Sequence, residues 1–254
     1  MTHQPSPPSD RQHGSSSLPT PANADCPRPS RVRAVCFDLD GLIFNTEELY
    51  PRVMQELLRR RNKPFTWDLI DKMMGRPGRV SLQIMIDHHQ LDDVVDDLYA
   101  ESDDIFCAIW ERELALMPGL LELLAALEQH GIPKGIATSS RAHIVQRQLP
   151  RFDLGPRFQF VLTSEDVTHG KPDPEIYLKA ASRFGISPSE MMVLEDSQNG
   201  AQAAVAAGAI AVGVPGSHNR SRHTFEGCEL VANTLADPRI YQLLGIESAA
   251  SRPA

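Results

Sequence analysis

The chain has 254 residues, 41% hydrophobic and 23% charged, enough for one large α/β domain or for a core carrying a smaller inserted unit. No run approaches the roughly 20 apolar residues that span a bilayer, so no membrane partner is expected. The formal net charge of −8 argues against a nucleic-acid partner, because phosphate-backbone binding needs clustered cations.

Residues 1–30 hold Pro5, Pro7, Pro8, Pro19, Pro21, Pro27 and Pro29 around a triple serine. Such a stretch buries too little apolar surface to offset its ordering entropy and reads as a disordered tail; 248–254 reads the same way. Order is expected from Val32, where VRAVCFDLDG is an apolar run ending in acids, the pattern of a strand buried on both faces. Similar runs recur at 131–140, 158–166, 191–197 and 209–215, with helical patterns between them at 119–130, 141–149, 174–184 and 198–207. Strands alternating with helices predict right-handed crossovers and a parallel sheet.

From 47 to 117 the alternation stops. Leu49, Val53 and Leu57 are spaced for one helix face, Leu91, Val95 and Leu98 for another, and Pro51 is expected in a first helical turn, where proline is tolerated. About seventy helical residues exceed a normal crossover, so they predict an inserted all-helical cap over the end of the first strand. The α/β core then comprises 31–46 and 118–247. Arg59-Arg60-Arg61 reads as a solvated helix end, and the alanines at 201, 203, 204, 206 and 207 as close helix-to-sheet packing. Cys26, Cys36, Cys107 and Cys228 lack metal or disulfide spacing. With no secretory signal pattern at the N-terminus, a cytoplasmic, monomeric protein is expected.

Ligands of parallel sheets bind beyond the carboxyl ends of the strands, and the polar residues gather at those ends. Asp38 is the candidate nucleophile for a phosphate ester. Asp40, on the same side of an extended chain, is the candidate acid and base. Two carboxylates repel a phosphate, so the site needs cations. Magnesium suits oxygen ligands and phosphate chemistry, with Asp38, Asp196 and the Asp40 carbonyl as ligands and Glu195 assisting. Lys171 would neutralise Asp38 and the phosphate. Thr138 and Ser139 offer a hydroxyl and backbone N–H groups at a helix start. In the cap, Glu47 either faces the substrate or caps its helix, and Arg76 and Arg79 either grip a second anionic group or form a solvated loop.

FDLDG (37–41), ATSS (137–140), GKPDP (170–174) and LEDS (194–197) resemble, in order, the four motifs of the haloacid dehalogenase-like superfamily. The resemblance covers nearly all of 32–240. It implies a Rossmann-like core, a helical cap, an aspartyl-phosphate intermediate and magnesium. DLDGLIFNTEELY and HGKPDPEIYLKAASRFG are similar to the branch of pseudouridine-5′-phosphatases and β-phosphoglucomutases. Asn45 stands where that family commonly has Asp. Tyr50 stands twelve residues after the nucleophile, where the mutase carries a catalytic histidine. The expectation is hydrolysis of a small phosphate monoester, a nucleotide or sugar phosphate. The alternatives are a phosphosugar mutase and a non-catalytic phosphometabolite sensor.

Overall fold

A computed structural model describes residues 1, 32–73, 76, 78–216 and 224–247; the tails expected at 1–30 and 248–254 lie outside the described residues, Met1 aside. Six short strands form one parallel sheet. They are β1 (Ala34–Phe37), β2 (Lys134–Ala137), β3 (Val161–Leu162), β4 (Met191–Glu195), β5 (Ile210–Gly213) and β6 (Leu230–Val231), in the spatial order β3-β2-β1-β4-β5-β6. β1, β2, β4 and β5 are buried along their whole length, as expected of strands covered on both faces.

The two covers follow from the alternation of side chains along a strand. Val35 and Phe37 pack with Leu120, Leu123 and Leu127 of α5 (Leu120–Gln129) on one face. Cys36, between them, packs on the other face with Tyr177 and Ala180, and with Ala203 and Ala204. Those residues lie on α7 (Glu175–Phe184) and α8 (Gln198–Ala206). Ala201 and Ala207 are buried like these, whereas Ala206 is exposed. The set closes with α6 (Ala142–Gln148) and α9 (Pro238–Leu244), capped by the Asp237 side chain on the Arg239 amide.

Between β1 and β2 the chain forms the helical cap: α1 (Thr46–Arg60), α2 (Trp67–Met73), α3 (Gly78–His89) and α4 (Val95–Glu113). Leu49, Val53 and Leu57 are buried on α1 as their spacing requires, and α1 packs along α4. The outgoing and returning chains cross side by side, with Met117 N–H on Ile43 O at 2.9 Å and Asn45 N–H on Ala115 O at 3.1 Å. Asn45 ties them further: its Oδ1 accepts from Ala115 N at 2.9 Å and its Nδ2 donates to Glu113 O at 3.2 Å. No described helix is long and apolar enough to cross a membrane.

Three local expectations are corrected. α1 starts at Thr46, so Pro51 lies inside it and not in the first turn, where its ring nitrogen has no hydrogen to give to the helix ladder. Leu91 belongs to the turn before α4, which starts only at Val95; the acids at 92 and 93 favour a helix entry over a helix interior. Arg61 is not a solvated helix end. Its side chain is 17% exposed and its guanidinium reaches Asp93 and Glu101, each at 2.6 Å, bracing α1 against α4. β6 is two residues long, too short to show a period.

Candidate active site

Parallel register carries the sequence acids to one edge. Phe37 pairs with Leu194 on one side and Ile136 on the other, so Asp38, Glu195 and the end of β2 emerge together at the break in strand order between β1 and β4. Asp38, Glu195 and Asp196 are all buried, and one oxygen from each lies within 4.8 Å of the others. The Lys171 ammonium, on a side chain 6% exposed, donates to Asp38 Oδ1 at 2.5 Å, to Glu195 Oε1 at 2.6 Å and to Ala137 O at 3.0 Å.

Three buried carboxylates around one ammonium leave the centre short of positive charge. Burial pushes the Asp38 carboxyl well above its usual range, opposed by Lys171 and reinforced by Glu195 and Asp40. Asp196 is raised likewise by burial, then by Glu47, Asp38 and Glu195. For Lys171, burial favours the neutral amine, but contact with Asp38 and Glu195 prevails and raises its pKa. Asp196 Oδ2 is buried with no hydrogen-bond partner, a cost that a cation ligand removes. An all-oxygen donor set of this charge fits a hard divalent cation. Gly41 keeps the place open: it takes φ +79°, and a Cβ there would overlap Asp196 Oδ2.

Asp40 lies on the other side of the centre. Its Oδ2 accepts from Ser140 Oγ at 2.6 Å and from Thr138 Oγ1 at 3.3 Å, while its Oδ1 is buried without a partner. Thr138 therefore spends its hydroxyl on Asp40 and on the Ser140 amide at 2.9 Å. Ser139 is exposed and precedes the Arg141 cap of α6; neither residue opens the helix, as had been expected of them.

The cap residues divide. Glu47, in the first turn of α1, sits over the acids, its Cγ 2.7 Å from where a Gly41 Cβ would stand. Arg79 ion-pairs with Asp96 and lies over the Tyr99 ring at 5.1 Å, and Arg141 of the core lies over the same ring at 5.2 Å. Arg79 thus ties α3 to α4 within the cap, and Arg141 reaches the same ring from the core. Arg76 instead donates to Lys72 O at 2.9 Å, closing the end of α2. Tyr50 is 38% exposed as a residue and stacks on Phe106, centroids 5.0 Å apart; desolvation of its hydroxyl, then the charges of Asp40 and Glu47, raise its phenol pKa.

Three contributors escaped the sequence reading. Ser140 follows Thr138 by two, the same spacing that aligns Asp38 with Asp40. Tyr177, fully buried, donates to Glu195 Oε1 at 2.5 Å, and its ring lies 5.0 Å from Lys171 Nζ. Ser197 donates to Glu195 Oε2 at 2.9 Å while capping α8 through the Gly200 amide at 3.1 Å.

The family model described as haloacid dehalogenase-like hydrolase matches residues 35–214. The chain belongs to that family. Among its curated relatives is a phosphorylated carbohydrates phosphatase of Thermotoga maritima, 32% identical over 177 residues, which cover 70% of this chain and 82% of the relative. A probable pseudouridine-5′-phosphatase of Drosophila melanogaster is 32% identical over 213 residues, covering 82% and 91%. The crystal structure of a putative β-phosphoglucomutase from Thermotoga maritima superposes with a TM-score of 0.71 at 30% identity, covering 84% of this chain and 97% of that one. This family member is a phosphoric monoester hydrolase acting on phosphorylated small molecules, in the branch of pseudouridine-5′-phosphatases and β-phosphoglucomutases.

Proposed function

We propose that the protein hydrolyses a small phosphate monoester through a phosphorylated Asp38, with magnesium held by Asp38, Asp196 and the Asp40 carbonyl, and with Glu195 beside them. The observation that carries this reading is the Lys171 ammonium clamped between Asp38 and Glu195 at 2.5 and 2.6 Å in a centre still short of positive charge. Bound magnesium would supply charge to the phosphoryl oxygens and offset the repulsion among the acids.

An Asp38 carboxylate oxygen forms a bond to phosphorus as the phosphorus–oxygen bond to the alcohol breaks, and Asp40 gives its proton to the departing oxygen. The Asp40 carboxylate then takes a proton from water, whose oxygen displaces Asp38 and releases phosphate. Lys171 holds the nucleophile ionised and neutralises the transferring group. Thr138 and Ser140 orient Asp40. Thr138 and Ser139 border the phosphate, and Glu47 and Arg79 border the rest of the substrate; the geometry at Arg76 gives no support for a substrate contact. The segment 47–117 is the cap, hinged where Asn45 joins the two crossings, and its closure excludes water from the ester.

Names of the relatives favour a nucleotide or sugar phosphate, pseudouridine 5′-phosphate foremost. The mutase reading draws on the putative β-phosphoglucomutase structure but is weaker here, because the phenol of Tyr50 replaces an imidazole that can shuttle a proton near neutral pH. Phosphate release from pseudouridine 5′-phosphate, uridine 5′-phosphate, glucose phosphates and phosphoglycolate, with Mg²⁺ or EDTA, tests the reading. Metal-dependent release supports it. Interconversion of glucose 1-phosphate and glucose 6-phosphate without release supports the mutase, and no turnover of any ester by folded protein supports the sensor.

A further inference from the structure

A cavity of about 530 Å³ opens on the cap between the C-terminal half of α1 and α4, sharing no lining residue with the carboxylate cluster. Arg59 stands twelve residues beyond Glu47 on α1, roughly 18 Å along the helix axis at the α-helical rise. Five cations line this cavity, Arg52, Arg59, Arg60, Lys63 and Arg112, against a single lining carboxylate, Glu56. On a chain of net charge −8 that is a strong local reversal of sign.

The partners of these cations are unevenly supplied. Glu56 accepts from both Arg59 and Arg60, Arg60 also reaches Glu101, and Arg52 pairs with Glu113. Lys63 and Arg112 have no carboxylate partner among the described residues. The floor is apolar, made by Phe65, Ile105 and Ile109, with both isoleucines buried. Charged forks around an apolar, partly aromatic floor suit a ligand with phosphate at one end and a flat apolar body at the other. The volume falls within the range of small-molecule sites.

We propose that this groove is a second ligand site, separate from the catalytic centre, and that it takes an organic phosphate with a planar body, of nucleoside phosphate type. Arg112 and Lys63, the two lining cations without a carboxylate partner among the described residues, hold the phosphates, and the ring system rests on Phe65 and Ile109.

The test is calorimetric titration of adenosine triphosphate, without divalent metal, into full-length protein carrying Asp38→Asn. The same titration is run after adding Lys63→Glu and Arg112→Glu. Saturable binding is expected, tighter than that of inorganic phosphate, and weakened at least about tenfold by the double charge reversal, the equivalent of one charge-assisted contact. The same pair of substitutions on the otherwise unaltered chain should leave phosphatase turnover intact, which shows that the fold and the catalytic centre survive. Equal affinity with and without the reversal would assign the nucleotide to the catalytic centre and overturn the proposal, as would absence of saturable binding. A change in oligomeric mass on charge reversal, with nucleotide affinity unaltered, would give the groove to a second copy of the chain and overturn it equally.

Discussion

Tyr177 donates its phenolic hydrogen to Glu195 Oε1 across 2.5 Å, the same oxygen that receives Lys171 at 2.6 Å. The shared oxygen couples a helix of the core cover to the charge that faces Asp38. Removing the hydroxyl in Tyr177→Phe leaves the ring packing and takes away one bond to a charged acceptor, worth about 1.5–3 kcal/mol. Urea unfolding should register that loss. kcat should fall about tenfold as Lys171 shifts toward Glu195, with KM little changed. A variant matching the parent in both would show that the hydroxyl is idle.

Gly200→Ala sets two physical effects against each other. Alanine favours a helix interior by about 1 kcal/mol over glycine, yet a Cβ at Gly200 would overlap the Glu195 carboxylate. The overlap involves a buried group with partners on both oxygens, so it should prevail. The expected outcome is a lower melting temperature together with a loss of kcat/KM exceeding about tenfold. A more stable, fully active variant would contradict the placement of Glu195.

Ser140→Ala removes the 2.6 Å bond to Asp40 from a half-buried position. Folding should be little affected. kcat should drop by about ten- to a hundredfold, because a misaligned acid loses part of the contribution of general acid–base catalysis. Steady-state kinetics beside a thermal melt separates the two effects.

Acid sensitivity has a source far from the site. Hydrogen bonding to Arg157, aided by Lys134, lowers the Glu128 carboxyl from 4.5 to about 2. A depressed carboxylate contributes stability that is fully present above its unfolded value and is lost as pH falls through its folded value. Stability should therefore decline as pH falls from 4.5 toward 2, and Glu128→Gln should flatten that part of a plot of urea midpoint against pH. An unchanged slope would contradict the assignment.

How much of this was legible follows from how far apart the interacting residues lie in sequence. Buried parallel strands announce themselves as short apolar runs, and acids at their ends stand out because nothing else polar is nearby; Asp38, Glu195 and Asp196 were visible for that reason. Tyr177 was not, because in EIYLKAASRF it reads as one more apolar residue of an amphipathic helix. Only the packing of α7 over β1 and β2 brings its hydroxyl to Glu195. Arg61 shows the same limit: its partners are 32 and 40 residues away, and a run of three arginines gives no sign of which one is drawn inward. Arg76 and Arg79 looked alike in the chain, and only the position of Tyr99 separates them.

The central claim is that Asp38 carries the phosphoryl group between the ester and water. Its most direct test is acid quenching of the enzyme during turnover, followed by mass analysis of the peptide containing Asp38, with Asp38→Asn alongside. A transient gain of one phosphoryl group on Asp38, absent from the variant along with phosphate release, is the predicted result. Full turnover by Asp38→Asn, or a phosphoryl group on another residue, would contradict the account.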